Sequence, residues 1–71
     1  MQRQPVISSN LVSVGYDPRT KTLEVEYHHS GVYRHFGIPE GVYTGLMNAA
    51  SKGSYLDTFV KKAGYEYEQV G

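Results

Sequence analysis

Thr22-Leu23-Glu24-Val25-Glu26-Tyr27-His28 is the stretch on which the fold reading depends. Leu23, Val25 and Tyr27 alternate with Glu24, Glu26 and His28. Side chains along a strand point to opposite faces in turn, so this pattern predicts a strand with one apolar face and one wet face. Downstream, His29-Ser30-Gly31 supplies a tight turn and Val32 to Ile38 predicts another strand. On it Val32, Arg34, Phe36 and Ile38 share one face, with Tyr33, His35 and Gly37 on the other. Upstream, Asp17-Pro18-Arg19-Thr20-Lys21 is turn chemistry: Pro18 presets φ and the Asp17 carboxylate can accept from the backbone ahead of it. Before the turn, Leu11 to Tyr16 is short and β-branched-rich, with Val12, Val14 and Tyr16 on one face. Three strands joined by short turns predict an antiparallel meander. Met1 to Asn10 is polar and reads as a loose lead-in, ordered only near Val6-Ile7.

The C-terminal half changes period. Pro39 closes the third strand and suits the first turn of a helix. Val42, Leu46, Ala49 and Ala50 then recur at helical spacing, widened by Tyr43 and Met47. Gly45 lies inside this helix, where glycine costs about 0.5–1 kcal/mol against alanine, so close packing against the sheet is its expected reason. Ser51-Lys52-Gly53 stops the helix, with Gly53 as a left-handed cap. Ser54 is the expected N-cap of a second helix carrying Leu56, Phe59, Val60 and Ala63, which Gly64 ends. The tail from Tyr65 alternates like a strand but is short and terminal, so it is expected to fray. A half-apolar sheet must bury one face, and these helices are its only available cover. The expected fold is one α+β domain over residues 1–71: a three-stranded antiparallel β-meander followed by two helices packed on one face (β-β-β-α-α). Residues 1–7 form the lead-in and 65–71 the tail.

The chain has 71 residues, too few for a second core. It has no cysteine, which excludes a disulfide scaffold and a thiolate metal site. Seven basic residues balance seven acidic ones, which excludes a polybasic arm. No apolar run approaches the roughly 20 residues of a membrane span, and the polar N-terminus lacks the apolar middle of a signal peptide. The reading is a soluble cytoplasmic protein with no membrane partner.

Catalytic chemistry finds little to use. His28 and His29 are adjacent on a strand and point apart, and His35 shares no metal-ligand spacing with them, so no metal and no cofactor is expected. The serines lie in lead-in, strand, turn or cap positions, outside any nucleophile context. Glu24/Glu26 and Glu66/Glu68 read as solvated faces. The remaining signal is seven tyrosines and a few interleaved cations. Tyr33 and His35, presented outward beside Arg34, would make a small stacking platform for single-stranded RNA. Lys52 and the pair Lys61-Lys62 would supply phosphate contacts. With zero net charge, such a role needs a local patch rather than the overall field.

Several blocks, in order, resemble the KTSC domain. They are Ser9-Asn10-Leu11-Val12-Ser13-Val14-Gly15-Tyr16-Asp17, Leu23-Glu24-Val25-Glu26-Tyr27, Gly31-Val32-Tyr33-Arg34-His35-Phe36-Gly37-Ile38-Pro39, Val42-Tyr43-Thr44-Gly45-Leu46 and Ala50-Ser51-Lys52-Gly53-Ser54-Tyr55-Leu56. That domain is named for the C-terminus of certain lysyl-tRNA synthetases and also occurs alone in bacteria and phages. The resemblance implies RNA binding. Its central Tyr-x-Tyr mark is met here by Tyr33, with His35 in the second place; His offers less stacking area than Tyr. Tyr16, Arg34, Ser51, Lys52 and Gly53 follow the pattern more closely. The chain is therefore expected to be a small non-catalytic module binding RNA through Tyr16, Tyr33, Arg34, His35, Lys52, Lys61 and Lys62. The alternative is a protein-interaction module, a phage or mobile-element protein docking on a host protein, because tyrosine is enriched at protein interfaces.

Overall fold

The computed structural model describes all 71 residues. Five strands run in chain order across one antiparallel sheet: β1 Gln4–Pro5, β2 Leu11–Asp17, β3 Thr22–Tyr27, β4 Gly31–His35 and β5 Tyr67–Gln69. Between β4 and β5 lie α1 Glu40–Asn48 and α2 Lys52–Leu56, and α2 continues into a π-helical turn over Asp57–Lys61. The expected α+β class, meander and pair of helices on one face hold, but the sheet has five strands where three were expected.

Both extra strands come from the ends of the chain. The tail does not fray: His35 faces Tyr67 and Tyr33 faces Gln69 in register. The Val32 amide donates to the Gly71 carbonyl at 3.1 Å, and the Phe36 amide to Glu66 at 2.8 Å. An open strand edge offers unpaired donors and acceptors, and the alternating tail satisfies them. At the other edge, Gln4–Pro5 pairs with Val14 and Ser13, so β2 is covered rather than exposed. Order in the lead-in extends over Gln4–Pro5 and the expected Val6, whose amide donates to the Val12 carbonyl at 3.1 Å and whose side chain packs against the core, while Ile7 is fully exposed.

A bulge between Leu11 and Ser13 corrects the expected faces of β2. A bulge inserts one extra residue, and a shift of one residue exchanges the two faces. Leu11 joins Val14 in the core in place of Val12. Leu11, Val14, Leu23, Val25, Ile38, Leu46, Leu56 and Val60 are fully buried and form one cluster between sheet and helices. Burying each contributes about 1.5–3 kcal/mol before entropy is charged against it.

The helices differ from expectation at their joint. α1 ends at Asn48, and the Ser51 hydroxyl caps α2 by accepting from the Ser54 amide at 3.4 Å. Ser51, not Ser54, is thus the N-cap, and Gly53 lies inside the first turn of α2 against the Asn10 side chain. Gly45 meets the Tyr55 ring, so its close packing is helix on helix rather than helix on sheet. Phe59 and Ala63, expected in the buried stripe, are exposed; Leu56 and Val60 carry the packing. Gly64 ends the second helical segment as expected, at φ +88°.

The far face of the sheet is polar and closed by charge. Glu24, expected on a wet face, is only 4% exposed. Its carboxylate accepts from Arg3 Nη1 at 2.5 Å and Arg34 Nε at 2.8 Å. Arg3 Nε also donates to the Ser13 hydroxyl, which donates to Glu26. Burial alone would push the Glu24 carboxyl up, but the bonds from Arg34 and Arg3 outweigh it and hold the group below its ordinary value. The N-terminal strap crosses this face so closely that a Cβ on Gly15 would lie 2.6 Å from the Gln2 carbonyl oxygen.

Candidate functional site: an aromatic cleft beside the helices

The helices do not cover the whole sheet. Beyond the end of the π turn, the surface of β3, β4 and β5 opens into a cleft of about 330 Å³ lined by Tyr27, Ser30, Tyr33, His35, Lys61 and Tyr67. Register explains the gathering. Leu23 faces His35, Val25 faces Tyr33, and His35 faces Tyr67, and directly paired residues share a face. Tyr33 and His35 therefore lie on the helix side of the sheet. Arg34 lies on the opposite side, where it is bound to Glu24.

The rings form a continuous set. Tyr27 and Tyr33 meet edge to face with centroids 5.6 Å apart. Tyr33 and His35 lie nearly parallel at 6.5 Å, and Tyr67 is 6.2 Å from Tyr33 and 5.8 Å from His35. His35 is buried, and its Nε2 shares a 3.1 Å hydrogen bond with the Tyr27 hydroxyl. Burial, helped by the Lys61 charge, pushes its imidazole down to about 4, so the ring is neutral at pH 7. Burial likewise raises the Tyr27 phenol, with the neighbouring Tyr33 adding to it, and Tyr27 stays a neutral hydroxyl. Lys61 Nζ stands 4.9 Å above the Tyr27 ring, within cation–π range.

Of the seven expected contact residues, Tyr33, His35 and Lys61 come together here. The outward platform of Tyr33, Arg34 and His35 is corrected, because neighbours along a strand point apart. Tyr16 stacks on Tyr43 at 4.6 Å and donates its hydroxyl to the Ile38 carbonyl at 2.6 Å, a packing role. Tyr16 and Arg34 line a separate, open hollow of about 700 Å³ with Phe36 and Arg19. Lys52 donates to the Ala49 carbonyl between the helices, and Lys62 pairs with Asp57 at 3.1 Å. Tyr27, on the apolar face, packs against the core and also lines the cleft, and Tyr67 of the tail lines it from β5. The alternation Tyr65-Glu66-Tyr67 was the signal for Tyr67, had it been taken as a paired strand.

His28 and His29 lie outside the cleft walls, and His28 Nε2 bonds the Ser8 carbonyl. No three His, Asp or Glu side chains converge in a ligand geometry. No helix is long and apolar enough to cross a membrane.

A two-layer α+β domain with a meander sheet and one uncovered aromatic corner is thus the class that fold and site define. Residues 7–67 match the KTSC domain, and the chain belongs to that family. A KTSC domain protein from Yersinia pestis, solved by crystallography, superposes with a TM-score of 0.92 at 40% identity, covering 99% of this chain and 97% of that one. A protein of Stutzerimonas stutzeri (strain A1501), described as uncharacterized, is 36% identical over 99% of both chains. A lysine–tRNA ligase of Nostoc sp. (strain PCC 7120) is 40% identical over 55 residues, which are 78% of this chain and 10% of the ligase.

Proposed function

We propose that this chain is a non-catalytic binding module for single-stranded RNA, with the cleft receiving an unpaired base. The observation that carries the reading is the convergence of Tyr27, Tyr33, His35 and Tyr67 with Lys61 on one uncovered corner of the sheet. Bases stack on such rings without sequence readout, each contributing about 1–3 kcal/mol by alanine substitution. A neutral, buried His35 suits the cleft, because it backs the rings of Tyr33 and Tyr67 without adding a charge that must be desolvated. The occurrence of a similar segment in lysine–tRNA ligases, whose name contains an RNA, supports the same reading.

Only one cation lines the cleft, and this sets the signature. For single strands log K falls with log salt by about 0.7 per neutralised phosphate, so one contact predicts a shallow slope near that value. The test is fluorescence anisotropy of a labelled single-stranded RNA oligonucleotide over a salt series. Tyr33→Ala and Tyr67→Ala should each weaken binding by about 5- to 160-fold, the range that stacking energies imply. Absence of binding at low salt, where phosphate contacts are strongest, overturns the reading and favours the protein-docking alternative.

A further inference from the structure

A second depression adjoins the aromatic cleft. It measures about 420 Å³, and it and the first, of about 330 Å³, meet along a shared wall of Tyr27, Ser30 and Lys61. Their linings differ in kind. The first presents the rings of Tyr33 and Tyr67, with the buried His35 at its base. The second presents hydrogen-bonding groups: Asn10, His29, Ser54 and Asp57.

Lys61 is the one Lys or Arg that lines both depressions. Arg3, Arg34, Arg19 and Lys62 are each ion-paired and Lys52 donates to the Ala49 carbonyl, whereas no carboxylate lies within 4.0 Å of the Lys61 ammonium. It occupies the last position of the π turn, closed by the Lys62 amide donating to the Asp57 carbonyl at 2.9 Å. Such turns are uncommon within helices and often occur at functional sites. Val60, one residue earlier, is buried and anchors the turn.

We propose that the two depressions act as steps of one groove that takes two consecutive nucleotides of single-stranded RNA, the linking phosphodiester lying at Lys61. The proposal rests on the RNA-binding reading of the cleft and extends it. The ring-lined step stacks one base. The polar step receives the sugar and base edge of the next nucleotide, where side-chain donors and acceptors can meet a 2′-hydroxyl. A dinucleoside monophosphate has one internal phosphate, and the shared wall carries one unpaired ammonium, so the charges match one to one.

The test uses the full chain, labelled with ¹⁵N, titrated separately with adenosine and with the dinucleoside monophosphate ApA. Adenosine is expected to shift amides of β4 and β5 around Tyr33, His35 and Tyr67. ApA is expected to bind about tenfold more tightly and also to shift Asn10, Ser54 and Asp57. Lys61→Met should bring the ratio of ApA to adenosine affinity to about one, and Lys61→Arg, which keeps the charge, should restore it. If ApA binds no tighter than adenosine and leaves Asn10, Ser54 and Asp57 unmoved, the two-step groove is wrong while base stacking in the cleft stands. If neither probe nor a longer single-stranded RNA shifts any cleft amide, the RNA reading fails and the groove fails with it.

Discussion

His35 joins the chemistry of the cleft to the stability of the fold. Its imidazole is buried among Tyr27, Tyr33 and Tyr67, and its folded value sits at about 4 against an ordinary 6.5. In the unfolded chain the ring takes a proton near its ordinary value; in the folded chain it resists until far lower pH. The contribution to stability is therefore complete above about 6.5 and is lost progressively as pH falls toward about 4. Thermal melts of the native chain and of His35→Phe between pH 8 and 4 check this. The native chain should lose melting temperature more steeply than the variant across that window; parallel curves would show that His35 does not titrate as described. The residue was legible as a candidate, but its burial was not. An alternation with an aromatic on each face does not say which face is covered, and only the pairing of His35 with Leu23 settles it. Tyr27 was hidden for a related reason: it lies on the apolar face, at the place where the helices stop.

At the scale of elements, the middle of the sheet and both helices were readable, because each rests on local period and turn chemistry. What was not readable depends on partners distant in sequence. The bulge in β2 lies where Val12 and Val14 are equally suited to a strand interior, so alternation cannot mark the extra residue. β1 and β5 are short and polar, and become strands only because edges await them. The strap carrying β1 is held by backbone pairing with β2 and by charge, with Arg3 of the strap and Arg34 of β4 both bound to Glu24. Glu24→Gln removes the anion but keeps the shape. The two arginines are partly exposed and can turn to water, which limits the loss to about 1–3 kcal/mol. Chemical denaturation should register that loss, and the amides of β1 should exchange with solvent faster than in the native chain. An unchanged midpoint and unchanged β1 exchange would mean the strap is held by its backbone bonds alone.

Across the whole molecule, each strand pairs only with its neighbour in the chain, and β1 to β4 are joined by short connections. β5 is the exception, because His35 reaches Tyr67 only across the full helical segment. All three residues of β5 are exposed, so little apolar burial secures it. Resistance to opening should therefore be uneven. In native-state hydrogen exchange, the amides of Phe36 and Val70, which bond across the β4–β5 seam, should open at a lower free energy than those of Leu23 and Val25. They should also respond less to added denaturant, since opening the seam exposes little surface. A single opening energy shared by all four would show one cooperative unit instead. Tyr67 sits on this seam and forms one wall of the aromatic corner. One wall of the corner can thus swing on its own timescale while the eight-residue core stays shut, so a guest could enter or leave without the domain unfolding.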